Sequence, residues 1–544
     1  MSSQRKSIKP SGRLALLTLF TLLASGIQSG AQTATQGKAS RPRILLAVTI
    51  EGLSTDYLSI LKDNFGEGGF KRLMNEAAEF STLDYGPGLD ATAAMAVLYT
   101  GASPVVNGIP SAYIYDPEKH TSTSVLTDTS VMGNFTDETY SPAALKVSTL
   151  SDEIRVDSDG DGFVYSIAAS PASSIISAGH AANSAFWLNR ATGNWATSTY
   201  YKDVPPEVTE INYRDPLSER LTTYKWTPKL QMNQYPLLSM DKRVRPFSYT
   251  YPVSDMRRYE RYATSPGANE EVTLIANRLL KKIQPVTPDA VSMLNVAYSL
   301  APDLPDTPGR RRAEIMDAYV RLDASLASLI QAVEKQFGPD NVAVMVAGLP
   351  GAFRDGPDDP KWRIPYGQFS IKKANALLNM YLMSKYGNGQ WVDGYHNRHF
   401  YLNQKLAAEK NIDLPALRAE AADFLGRMAG ISNVYPIESI TAARVGADPE
   451  ALKRNTSLMH SGDLVIEVNP GWEIVDDPTA SRPGEVMRHA QIPAPLFIMA
   501  PGIAPEDIST PLDAREVAPT LARILRIRSP NGAALPALDL GKKK

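Results

Sequence analysis

The chain has 544 residues, 43% apolar and 21% charged, with a formal net charge of −2. That composition excludes a disordered chain and gives length enough for a large buried core. No Lys/Arg-rich run with interleaved aromatics occurs, which speaks against nucleic-acid binding. The absence of cysteine excludes disulfides and a lipid-modified N-terminal Cys.

Residues 1–31 read as a secretory signal. Arg5, Lys6, Lys9 and Arg13 form a basic start, Leu14–Ile27 an apolar run, and Ser29-Gly30-Ala31 a small-residue cleavage site. The run is shorter than a confident membrane span, so no transmembrane segment is expected after cleavage. Its removal takes away four basic and no acidic residues, so the charge becomes −2 − 4 = −6. Residues 32–42 form a polar linker, and one α/β domain is expected over 43–540.

Ile44–Ile50 is a strand apolar on both faces, the pattern of a central parallel strand, and it ends at Glu51. The turn YGPGLD (Tyr85–Asp90) then opens a small-residue helix, Ala91–Gly101, with Asp90 as cap. Thr92 sits on its first turn, where backbone N–H groups and the helix dipole suit a nucleophile facing an anion. Asp157–Gly162 has the spacing of half a calcium loop but lacks the closing acid at Ala168, so it reads as an acidic turn before the strand Phe163–Ala168.

Residues 190–285, rich in Tyr and Pro, read as an insertion over one end of the sheet. Ala290–Ser299 and Asn341–Ala347 are further strands. Between them Ile315, Tyr319, Leu322, Leu326, Leu329 and Val333 mark the clearest helix, Gly309–Phe337. Two amphipathic helices follow (GQFSIKKANALLNMYLMSKYG and LPALRAEAADFLGRMAG). The late strands are Asp463–Val468 and Pro495–Ala500, and the final helix is Asp513–Leu525. Strands alternating with helices imply an α/β fold, a mostly parallel sheet covered on both sides.

The order of Glu51, the Thr92 helix and YTGASPVVNGIPSAYIYD (Tyr99–Asp116) resembles the alkaline phosphatase superfamily, in particular its type I phosphodiesterase/nucleotide pyrophosphatase group and the bacterial periplasmic phosphatases. The resemblance recurs at Ser177–Tyr201, Met316–Ile330 and Ala494–Leu525. It implies an α/β/α sandwich with inserted cap segments.

The resemblance also implies a site of two zinc ions roughly 4 Å apart, held by Asp and His at strand ends. This chain departs from that pattern. Glu51 stands where the first Asp is expected. After Ser299 the expected Asp falls near Pro302; Asp303 and Asp306 remain, without a His four residues on. The Asp-His pair is replaced by Gly348-Leu349, and a later His by Pro493, with His489 nearby but out of register; a further one maps near Gly484. The Lys-x-Arg phosphate clamp falls on Ser170 and Ala172, and an Asn on Ala112. Counting back from Gly101 places the nucleophile at Ala91 or Thr92.

Phosphate-ester hydrolysis demands up to ~10²¹-fold acceleration, most of it from positioned cations. The losses therefore point to a non-catalytic member, with Thr92, Glu51, Asp303, Asp306 and His489 as vestiges and no cofactor. Its expected role is a binding or scaffold subunit in the periplasm or at the periplasmic face of the outer membrane, with an envelope protein as partner. The alternative is a phosphomonoesterase or phosphodiesterase with a rebuilt divalent-metal site, for which an oxygen-rich ligand set favours Mg²⁺, Ca²⁺ or Mn²⁺.

Overall fold

The computed structural model describes residues 41–236, 245–285, 287, 289–302, 311–351, 367–442, 447–457, 459–469, 472–476, 487–488 and 493–541. The central strand β1 (Ile44–Glu51) is buried along its length. In chain order the main sheet adds β2 (Ala78–Phe80), β3 (Gly133–Asn134), β4 (Val164–Ala168), β5 (Ser184–Leu188), β6 (Trp195–Ser198), β7 (Ser292–Ser299), β8 (Val342–Leu349), β9 (Leu496–Met499) and β10 (Glu506–Ile508). Their spatial order is β10-β2-β9-β8-β1-β7-β4-β5-β6-β3. The five inner strands from β8 to β5 are mutually parallel. Beyond them β9 pairs antiparallel with β8, and β6 with β5.

Alternate residues of β1 feed two cores. Ile44, Leu46, Val48 and Ile50 pack with helix α1 (Pro266–Leu280) and helix α2 (Arg311–Phe337). Leu45 and Ala47 face the opposite layer, which holds Ala93–Tyr99, Ile175 and Ile176, and Val517, Leu521 and Leu525. This is an α/β/α sandwich, and it explains why β1 shows no polar alternation.

Residues 190–285 are not uniformly inserted. Trp195–Ser198 still belongs to the main sheet, and α1 is a core helix on β7. The stretch between them is held down by buried carboxylates. Asp317 of α2 accepts from Trp226 Nε1 (2.7 Å), the Lys229 N–H (2.6 Å) and the Tyr235 hydroxyl (2.7 Å). Glu271 of α1 accepts from Trp195 Nε1 and pairs with Arg220.

A second unit was not separated in the sequence pattern. Helices Ile371–Tyr386 and Leu414–Gly426 cover a four-stranded sheet of their own, ordered Val392–His396, His399–Leu402, Leu464–Val468, Ile431–Pro436. Asp463–Val468 thus serves this small sheet, not the main one. The unit has its own core around Trp391, Phe400, Leu417 and Ile466.

Candidate functional site

The carboxyl ends of the inner parallel strands are where open α/β sheets place ligands. Glu51 closes β1, in register with Ser299 on one side and Leu349 on the other. Ser299 Oγ donates to Glu51 Oε2 (3.3 Å). The Leu300 N–H donates to the Glu51 carbonyl (2.8 Å), and the Gly52 N–H to that of Leu349 (3.0 Å). A cleft of about 290 Å³ lies beside Glu51, with Ser170, Ser173, Arg190, Thr264 and Ser299 in its wall.

Helix α3 (Ala91–Thr100) points its first turn toward the same end. Asp90 caps it, accepting from the Ala93 N–H (2.8 Å) and also from the Ala112 N–H (2.7 Å). The Tyr85 hydroxyl ties the loop before this helix to the Gly348 carbonyl (2.8 Å). Thr92 is the second helical residue and 9% exposed. Glu51, the Gly348–Gly351 turn and the loop leading to Thr92 are therefore linked by direct contacts. Asp303, Asp306 and His489 lie outside the described residues, as does Gly484.

Among the described residues, the strand ends do not supply the ligands of a two-zinc centre. A Cβ on Gly348 would lie 3.0 Å from Ala494 Cβ, 3.1 Å from the Leu53 carbonyl oxygen and 3.2 Å from Pro495 Cδ. The Gly348 N–H donates to the Pro495 carbonyl (2.8 Å). A Cβ there would require these neighbours to yield by a few tenths of an ångström. Leu349 is buried in an apolar core, and Pro493 offers only its carbonyl, which accepts from the Thr55 N–H (3.0 Å). Ser170 at the clamp position caps helix α4 (Pro171–Ala178). Among the described residues, no three His, Asp or Glu side chains gather in a metal-holding group.

His180 serves the fold. Its Nδ1 donates to Asp152 Oδ2 (2.9 Å), and its Nε2 faces the Leu145 carbonyl (3.1 Å). The Asp152 hydrogen bond raises the His180 pKa against the opposing effect of burial. Burial works to raise the Asp152 carboxyl, but the His180 ring and the Thr149 and Ala181 N–H groups hold it below the usual carboxylate range. The acidic turn Asp157–Gly162 is closed by Arg155, which donates to the Gly160 and Gly162 carbonyls.

Sequence reasoning missed Arg190. Its one signal was a lone cation at the end of the strand-forming stretch SAFWLNR. A histidine–arginine hairpin, His396 to His399, was also missed.

These features define an α/β/α sandwich with a pocket at the strand ends. Residues 45–490 match the type I phosphodiesterase / nucleotide pyrophosphatase family, and the chain belongs to it. It is 25% identical over 537 residues to alkaline phosphatase PafA of Elizabethkingia meningoseptica, covering 95% of this chain and 96% of that one. It is 26% identical over 529 residues to a protein of Myroides odoratus named calcium-transporting ATPase, covering 91% and 94%. Alkaline phosphatase PhoV of Synechococcus elongatus is 24% identical over 514 residues, covering 91% and 92%. The crystal structure of wild-type PafA superposes with a TM-score of 0.78 at 24% identity, covering 92% of this chain and 99% of that one. That likeness concerns the fold.

Proposed function

We propose that this chain is an exported, non-catalytic member of its family, acting as a binding or scaffold subunit in the periplasm or at the periplasmic face of the outer membrane. The carrying observation is the packing at Gly348. The end of β8 is packed tightly by Ala494, Pro495 and Leu53, and Gly348 itself carries no ligand-bearing side chain. Without a clamped metal, Thr92 keeps an ordinary hydroxyl, a weak nucleophile. The basic N-terminal run followed by Leu14–Ile27 supports export. No helix among the described residues is long and apolar enough to cross a membrane. The partner is an envelope protein.

One observation favours the other reading. Glu51 keeps a carboxylate at the end of β1, with Ser299 donating to it and Arg190 in the same cleft. Two relatives carry the name alkaline phosphatase. In that reading the chain is a phosphomonoesterase or phosphodiesterase that holds one divalent ion through oxygen ligands. Elemental analysis of purified protein, with turnover of an aryl phosphate and an aryl phosphodiester, separates the two. The proposal expects no stoichiometric metal and no turnover above background. Stoichiometric metal with hydrolysis that Thr92→Ala abolishes overturns it.

A further inference from the structure

A second cleft lies between the turn before α3, the hairpin His396–His399, and residues Leu452, Asn455–Ser457 and His460–Ser461. With its open mouth it holds about 520 Å³. Three of the chain's six histidines, His396, His399 and His460, line it together with Arg398. No carboxylate is among the described residues that line it. In a chain with 58 acidic residues and a negative net charge, a wall with a guanidinium and no carboxylate marks a locally positive surface.

We propose that this cleft binds a small organic oxyanion, with a phosphate monoester as the fitting class, and that Arg398 and His399 hold its oxygens. Arg398 is buried, and its guanidinium lies against the backbone of Gly88, where a Cβ would stand 1.8 Å from Nη2. Glu467 is the carboxylate whose charge reaches it, and that group is also engaged by Asn433 Nδ2 (3.0 Å) and the Tyr435 hydroxyl (3.2 Å). A buried guanidinium is the side chain best shaped for planar recognition of a phosphate.

The hairpin holds this group in a strained place. Asn397 and Arg398 have φ of 44° and 71°, the pattern of a two-residue turn closed by the His396–His399 pair. The second of these positions ordinarily favours Gly. An Arg there carries backbone strain, and strain of this kind collects at ligand clamps.

Hydrogen bonds also fix the imidazoles. The Gly462 N–H donates to His399 Nδ1 (3.1 Å), so Nε2 carries the proton and is a donor. Burial, then Arg398 and His396, push the His399 pKa down to about 3, which keeps that tautomer neutral. His396 Nε2 donates to the Tyr113 carbonyl (2.8 Å) and holds the opposite wall. Lys146 adds positive charge near His460. Ile114, Leu452 and Val465 supply an apolar side for the organic part of the ligand. The inference stands whether or not the strand ends hydrolyse anything.

The test is calorimetric titration of purified protein with inorganic phosphate and with phenyl phosphate, beside crystals soaked in tungstate. Phenyl phosphate is expected to bind at least tenfold tighter than inorganic phosphate, which separates an ester from a free-anion site. Arg398→Gln and His399→Phe are each expected to weaken binding at least tenfold, while the surface change Arg427→Gln leaves it unchanged. The tungsten peak is expected between Arg398 and His399. If Arg398→Gln fails to fold, His399→Phe and the tungsten position decide. Absence of binding at 10 mM of either phosphate, or a tungsten peak at the strand ends alone, overturns the proposal.

Discussion

The strand-end pocket and the hairpin cleft divide between them what an enzyme of this fold would combine in one place. At the strand ends the geometry is intact. Glu51, Ser299 and Leu349 stand in register, and Tyr85 clamps the loop before Thr92 onto Gly348. At the positions where the family resemblance places ligands and clamp, the described residues are Gly, Leu, Pro, Ser and Ala. The cleft is the reverse, with two of its imidazoles and its guanidinium on a hairpin of a small added sheet. Backbone register is fixed by the hydrophobic pattern of buried strands, so it survives the exchange of every polar group at their tips. Polar groups can drift to wherever a turn presents them. The fold of such a chain is thus a poor guide to where its chemistry lies.

The sharpest way to break this contrast is to restore a ligand at the strand ends. Gly348→Asp places a carboxylate against Ala494 Cβ, Pro495 and the Leu53 carbonyl oxygen, all within 3.2 Å of the new Cβ. Overpacking costs about 1–3 kcal/mol, and burial of an unpaired carboxylate adds more. The variant is expected to lose roughly 3 kcal/mol or more of stability, read from the shift of the denaturant midpoint. A Gly348→Asp protein as stable as wild type that takes up stoichiometric zinc would show the metal pocket to be open after all.

The cleft has a matching test with a smaller effect. Gly88 has φ +83°, and a Cβ there collides with the Arg398 guanidinium. Gly88→Ala is expected to cost about 1–2 kcal/mol for the left-handed backbone and to displace Arg398, weakening phenyl phosphate binding. The readouts are the denaturant midpoint and the titration. Unchanged binding in a folded Gly88→Ala protein would separate Arg398 from the site.

The legible parts of the molecule were those with a period. β1, β7 and β8 are eight-residue apolar runs, and Ile315 to Val333 traced α2 because each touches one core at helical spacing. The second unit was hidden because its strands are four to six residues long and Asp463–Val468 reads like a main-sheet strand. Which sheet a strand joins is a long-range matter that no local pattern records. At the site, Glu51 and Gly348 were legible from their places at strand ends. Arg190 was not, since a single cation after a strand looks like any solvated residue. His396-Asn397-Arg398-His399 reads as a polar loop until the turn before α3, far away in sequence, is brought against it.

The smallest expected effect separates a structural imidazole from the cleft imidazoles. His180 lies in the block that carries the family resemblance, yet its ring is bound to Asp152 and faces the Leu145 carbonyl. Its pKa is raised in the folded state, foremost by the Asp152 hydrogen bond. A raised pKa contributes stability that is full below the unfolded value, about 6.5, and is lost as pH rises through the folded value. Asp152 has the opposite sign. Its pKa is depressed despite burial, so its contribution is full above about 3.9 and fades as pH falls through the folded value. Both are whole between those limits, near pH 5–6. There His180→Asn should lower the denaturant midpoint most relative to wild type, and the gap should narrow by pH 8. It should not vanish, because the neutral ring still donates from Nδ1 to Asp152. In an Asp152→Asn background the pH dependence of the gap should disappear. A gap that widened toward pH 8 would mean that His180 is held neutral in the fold, as His399 is, and would place it with the cleft histidines instead.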